Sequence, residues 1–122
     1  METQKTSLPL SRPRFLNKKA IILSLRNIAK EIAQSEKKIE KIYLFGSLRT
    51  NDAGLRSDAD ILIVLKEDNR RMLDRIDEYL IKFSDSPVPV DPFVYTKEEV
   101  KRAIKEGNSF IRMALKGIKL TG

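Results

Sequence analysis

The stretch from Leu44 to Leu65, LFGSLRTNDAGLRSDADILIVL, constrains this chain more than any other part of it. Gly46 and Ser47 are followed by ten residues, then by Asp58 and Asp60 one residue apart, then by the apolar run Ile61 to Leu65. In an extended strand side chains alternate between faces, so Asp58 and Asp60 point the same way with Cα atoms ~7 Å apart. Two carboxylates held side by side call for a cation. A hard ion such as Mg²⁺ is held by one or two carboxylates together with substrate phosphate oxygens, which suits this pair better than a closed protein cage.

At the other end of the stretch, the strand-like run Lys41 to Phe45 breaks at Gly46, where the missing side chain lets backbone approach a phosphate closely. Ser47 offers a hydroxyl and an amide, and a short helix starting near Leu48 would add free N-terminal amides for an anion. The same residues also fit a plain turn between two strands, with Ser47 as a helix cap and the aspartates as a solvated strand entrance. Neither half is specific alone; the combination is.

Gly-Ser, ten residues, Asp-x-Asp and a hydrophobic strand resemble the signature of the nucleotidyltransferase superfamily with the DNA polymerase β type of palm. The chain resembles its smallest members, the minimal nucleotidyltransferase (MNT) domains, which are often partners of HEPN-domain proteins in prokaryotic toxin and antitoxin pairs. The resemblance runs from roughly Leu16 to the C-terminus, and the family's third carboxylate matches Asp91 in VPVDPFVY. Many relatives continue after the serine with a small residue and then Arg-Gly. Here the chain reads Leu48-Arg49-Thr50-Asn51, with the arginine one place early.

This resemblance implies that Asp58, Asp60 and Asp91 are catalytic and bind two Mg²⁺ ions, and that Gly46, Ser47 and Arg49 bind the nucleotide. It implies ATP as the donor and a hydroxyl of a HEPN-type partner protein, a tyrosine, as the acceptor. The chain would then be a protein adenylyltransferase serving as the antitoxin of its pair. Two other readings stay open: a small-molecule nucleotidyltransferase of the aminoglycoside type, and an antitoxin that acts by binding alone. Direct nucleic-acid binding and homo-oligomerisation are also left open.

Composition narrows the chemistry. The chain has neither cysteine nor histidine, which excludes disulfides, thiolate metal sites and any catalytic imidazole. A histidine-dependent ribonuclease, the usual activity of HEPN toxins, is excluded with them. The net charge of +7 is unevenly placed: residues 1–30 carry seven basic and one acidic side chain, residues 101–122 six and one, and residues 31–100 eleven and fifteen. Basic ends flanking an acidic centre would attract a phosphate-rich or acidic partner, although most such residues serve as solvated helix faces. No signal-peptide core and no run of ~20 apolar residues is present, so a cytoplasmic protein without a membrane span is expected.

Residues 1–14 are expected to form a flexible arm and 15–122 a single domain, able to bury about 65% of the unfolded chain's surface. Ile21, Leu25, Ile28 and Ile32 mark one face of a helix from Leu16 to about Ser35. Strands follow at Ile39 to Phe45 and Ala59 to Leu65, the second apolar on both faces and so central. Met72, Ile76, Tyr79 and Phe83 mark another helix. Val88 to Tyr95 reads as a third strand, kept to an edge by Pro89 and Pro92, where Asp91 taken alone reads as an edge charge against aggregation and, with the upstream motif, as a metal ligand. Thr96 and Glu99 form a capping box for a helix to about Glu106. Gly107-Asn108 interrupts it, and a short helix around Phe110 to Leu115, stopped by Gly117, leads a helical tail to Leu120. In that tail Phe110, Met113, Leu115 and Ile118 fit either the core or another chain. The expected fold is α+β, a small mixed sheet of nucleotidyltransferase-palm type with helices on one face and carboxylates exposed on the other.

Overall fold

The computed structural model describes residues 18–46 and 58–122. The expected N-terminal arm at 1–14 lies outside the described residues, as do Ser47, Arg49 and the short helix near Leu48. Helix α1, Lys18–Ser35, buries Ile21, Leu25, Ala29 and Ile32, spaced by four, four and three as one face of a helix requires. Strand β1, Ile39–Leu44, and strand β2, Ala59–Leu65, pair antiparallel, with Tyr43 opposite Leu62 and Leu44 opposite Ile61. Helix α2, Met72–Lys82, crosses over to strand β3, Val90–Thr96, which runs parallel to β2. A parallel neighbour needs such a crossover, which no tight turn can supply.

Thr96 then caps helix α3, Lys97–Lys105, through the expected box: its Oγ1 accepts from Glu99 N at 3.2 Å, while Glu99 Oε1 accepts from Thr96 N at 2.8 Å. Gly107 stops α3 at φ 78°, a left-handed conformation that residues with a Cβ rarely adopt. Asn108 Oδ1 accepts from Ile111 N at 3.1 Å to start helix α4, Ser109–Leu115. The sheet order is β3-β2-β1-β4, with β2 central and β3 at an edge, as its apolar run and two prolines respectively foretell.

Two expectations are corrected. The tail past Gly117 is not helical: Ile118–Thr121 forms strand β4, antiparallel to β1. Of the tail's apolar side chains, Ile111, Ala114 and Leu120 are buried, whereas Met113 and Ile118 are exposed. The α+β class and mixed sheet hold, but the helices cover both faces rather than one. Alternation along β2 divides its side chains between two cores. Ile61, Ile63 and Leu65 join α1 and α2 through Leu25, Tyr79 and Phe83, while Leu62 and Val64 join α3 and α4 through Val100, Ala103, Ile111 and Ala114. The second core is built by small or β-branched residues on short helices, a weaker signal than the long stripe of α1. Among the described residues no helix is long and apolar enough to cross a membrane.

The C-terminal ends of β2 and β3 are closed by ions. Arg75 of α2 is 2% exposed. Its Nη1 donates to Glu99 Oε1 at 2.7 Å and to the Val94 carbonyl at 3.1 Å; its Nη2 donates to the Arg70 carbonyl at 2.7 Å and the Asp68 carbonyl at 3.2 Å. Asp68 is buried beside it and accepts from Arg70 and from Lys38 Nζ at 2.8 Å. Arg70, with Lys38, holds the Asp68 carboxyl far below the usual carboxylate range; Arg75 does the same, less strongly, to Glu99.

Removing the guanidinium strands the Glu99 carboxylate and the carbonyls of Asp68, Arg70 and Val94, so Arg75→Met should cost about 3–5 kcal/mol, with Arg75→Lys recovering only part of it. Urea unfolding checks this. Because Asp68 and Glu99 have lowered pKa values in the folded state, their contribution is present above the unfolded carboxylate range near pH 4 and is lost as pH falls through the folded values. Asp68 keeps Arg70 and Lys38 in Arg75→Met, whereas Glu99 loses the partner that lowers it, so the wild type should lose more stability than the variant between about pH 5 and pH 2, by the Glu99 share alone.

Candidate active site

Opposite that closed end lie the N-terminal ends of β2 and β3 and the C-terminal end of β1. Asp58 is exposed just before β2, Asp60 is the second residue of β2, and Asp91 is the exposed second residue of β3. The parallel register pairs Asp60 with Asp91 directly, which sets their backbones about 4.8 Å apart with both side chains on one face. Burial, and then the charges of Asp91 and Asp58, push the Asp60 carboxyl above its ordinary value. Among the described residues no lysine or arginine forms an ion pair with any of the three.

Gly46 completes the cluster from β1. The amides of Phe45 and Gly46 both donate to the Asp60 carbonyl, at 2.9 and 3.4 Å. A Cβ at position 46 would collide with the Cβ and carboxyl of Asp60. Glycine is required here by space, since its φ is not among the positive ones.

Beneath the carboxylates sits a layer not anticipated from sequence. Phe45, Phe93 and Phe110 meet in edge and tilted contacts with ring centroids 5.5, 5.3 and 5.1 Å apart. Phe45 directly precedes Gly46, and Phe93 lies two residues after Asp91 on the same face. Those two spacings were available in the sequence; the arrival of Phe110 from α4 had no local signal. The trio ties the end of β1 and strand β3 to helix α4, an arrangement worth ~0.5–1.5 kcal/mol per aromatic pair beyond its burial.

Of the six residues singled out from sequence, the structure brings together Gly46, Asp58, Asp60 and Asp91; Ser47 and Arg49 lie outside the described residues. The carboxylates suit a hard divalent cation, and their mutual repulsion would be relieved by one. Among the described residues no three His, Cys, Asp or Glu side chains are grouped so as to hold a metal ion unaided. Phosphate oxygens would have to share the shell.

The sequence profile of the nucleotidyltransferase domain family matches residues 25–118, a span that includes Gly46 and all three aspartates. The chain belongs to that family. A search of curated proteins finds no match. Among solved structures, the nucleotidyltransferase domain is similar to a Sulfolobus solfataricus protein assigned to the nucleotidyltransferases, at 30% identity over 67% of this chain and 72% of that one, with a TM-score of 0.49. Family membership rests on the profile match. It identifies the domain as a transferase and gives the Gly46 and aspartate cluster its chemical context.

The contact between Gly46 and Asp60 yields a prediction. Gly46→Ala should destabilise the domain by about 1–3 kcal/mol, the scale of forced overpacking. Its cost should fall by more than half in an Asp60→Gly background, where the colliding atoms are gone. A double-mutant cycle by chemical denaturation measures this, and equal costs in both backgrounds would place the strain elsewhere.

Proposed function

We propose that this nucleotidyltransferase domain moves AMP from ATP to a hydroxyl, that of a tyrosine on a HEPN-type partner protein, and acts thereby as the antitoxin of the pair. The observation that carries the reading is the register pairing of Asp60 with Asp91, which sets two carboxylates side by side on one face, with no basic partner among the described residues. Asp58 extends the acidic row. Family resemblance supports ATP, two Mg²⁺ ions and the partner, and the carboxylate-only donor set supports a hard cation.

In this reading Asp58 and Asp60 would hold the ion that accompanies the triphosphate, and Asp91 would complete the site of the second. Bound Mg²⁺ supplies charge neutralisation of the triphosphate and a lowered pKa for the acceptor hydroxyl. Gly46 presents backbone rather than a side chain beside Asp60, leaving the phosphates room. Asp91, exposed on the edge strand, orients the acceptor hydroxyl and receives its proton. The acceptor oxygen bonds to the α-phosphorus as the bond to the pyrophosphate oxygen breaks, and pyrophosphate leaves. The exposed Met113 and Ile118 of the C-terminal segment provide apolar surface for a partner.

Substitutions of the two groups should fail differently. Asp60→Asn should weaken Mg·ATP binding and abolish transfer together. Asp91→Asn should leave nucleotide binding within a few fold of wild type while transfer falls by roughly 10²–10³. Calorimetric titration of Mg·ATP and transfer of labelled AMP to the partner check this. Unchanged transfer in Asp91→Asn would make Asp91 an edge-strand charge only, and full neutralisation of the partner by both variants would favour binding without chemistry.

A further inference from the structure

On the face of the sheet covered by α3 and α4 lies a cavity of about 300 Å³, separate from the carboxylates. Its floor is apolar: Tyr43 of β1, Val64 of β2, Val100 of α3 and Leu115, the last residue of α4. Its rim is cationic. Lys97 and Lys101 stand one turn apart on α3, and Lys41 faces them from β1, with Glu40 as the acidic member of the lining. Among the described residues none of the three lysines is in an ion pair.

Position separates this cavity from the proposed reaction. Val64 is four residues along β2 from Asp60, about 13 Å at the rise of a strand. Phe93 stands on the same face in the row between, packed against Phe45 and Phe110. A ligand in the cavity would therefore sit behind the aromatic layer, away from the acidic row.

We propose that this cavity is a binding site for a small organic anion with a flat apolar ring, bearing a phosphate or carboxylate at one end. The size suits a ring-sized ligand, at the lower end of small-molecule pockets. The apolar floor, with Tyr43 as its aromatic member, would receive the ring, and the ammonium groups meet the anionic end, where charge-assisted hydrogen bonds are the strong ones. Three cations against one carboxylate leave the rim net positive, so a cationic ring is repelled and a neutral one gains nothing from the rim. This site goes beyond the transfer reaction and does not depend on it.

The test is NMR titration of the full chain, without metal, using phenyl phosphate, benzoate, inorganic phosphate and phenol as probes. Phenyl phosphate and benzoate should shift the amides of Tyr43, Val64, Lys97 and Lys101, with dissociation constants on the order of 1 mM for ligands this small. Inorganic phosphate and phenol, each carrying half the chemistry, should bind roughly tenfold more weakly or not at all. The exposed pair Lys97→Gln, Lys101→Gln should retain the wild-type fold and lose phenyl phosphate affinity by roughly tenfold or more, the scale of a lost hydrogen bond to a charged group. Lys97→Arg, Lys101→Arg should retain it. Shifts confined to Gly46, Asp60 and Asp91, affinity unchanged by the glutamine pair, or equal binding of inorganic phosphate would each overturn the proposal.

Discussion

Parallel pairing of β2 with β3, in the register that sets Ala59 beside Val90, is the constraint on which the site depends. Shifting β3 by one residue would turn Asp91 to the opposite face and bury its charge in the core beneath α1 and α2, because strand side chains alternate. The register is held by that same alternation. Val94 is buried in one core, while Phe93 and Tyr95 pack against the other. It is held again at the far end, where the Val94 carbonyl accepts from Arg75 and Thr96 opens the capping box of α3.

The two ends of the sheet treat charge in opposite ways. At one, Asp68 and Glu99 are buried or half-buried and saturated by Arg70, Arg75 and Lys38, so both carboxyls stay ionised at low cost. At the other, Asp58, Asp60 and Asp91 crowd together with no basic partner among the described residues, and the Asp60 carboxyl is pushed up by burial and by its neighbours. Among the described residues, then, one acidic cluster is neutralised thoroughly and the other is left open. Such a departure from local rules is the kind that functional sites carry, at some cost in stability.

Much of this was legible in the residues. Asp58 and Asp60 announced themselves by spacing ahead of an apolar strand, Gly46 by breaking a strand, and the edge position of β3 by its prolines. The capping box at Thr96 and Glu99 and the stop at Gly107 are local chemistry, which sequence carries well. What escaped was long-range. Arg75 lies in a charged segment and looks solvated, yet it falls three residues after Met72 and four before Tyr79, on the inward stripe of α2. Its partner Glu99 is 24 residues on. The second helical layer escaped because α3 and α4 are short, and β4 because four residues after a glycine give no readable period.

The central claim is that the end of the sheet bearing Gly46, Asp60 and Asp91 takes a divalent cation together with a nucleoside triphosphate. Paramagnetic broadening by Mn²⁺, substituted for Mg²⁺ and added with ATP, tests it most directly by NMR of the backbone amides. The account predicts selective loss of the Gly46, Asp60 and Asp91 signals, deeper with ATP than without, while those of Lys38, Asp68 and Arg70 persist. Broadening centred on Asp68, or no broadening at the Asp60 end with ATP present, would contradict it.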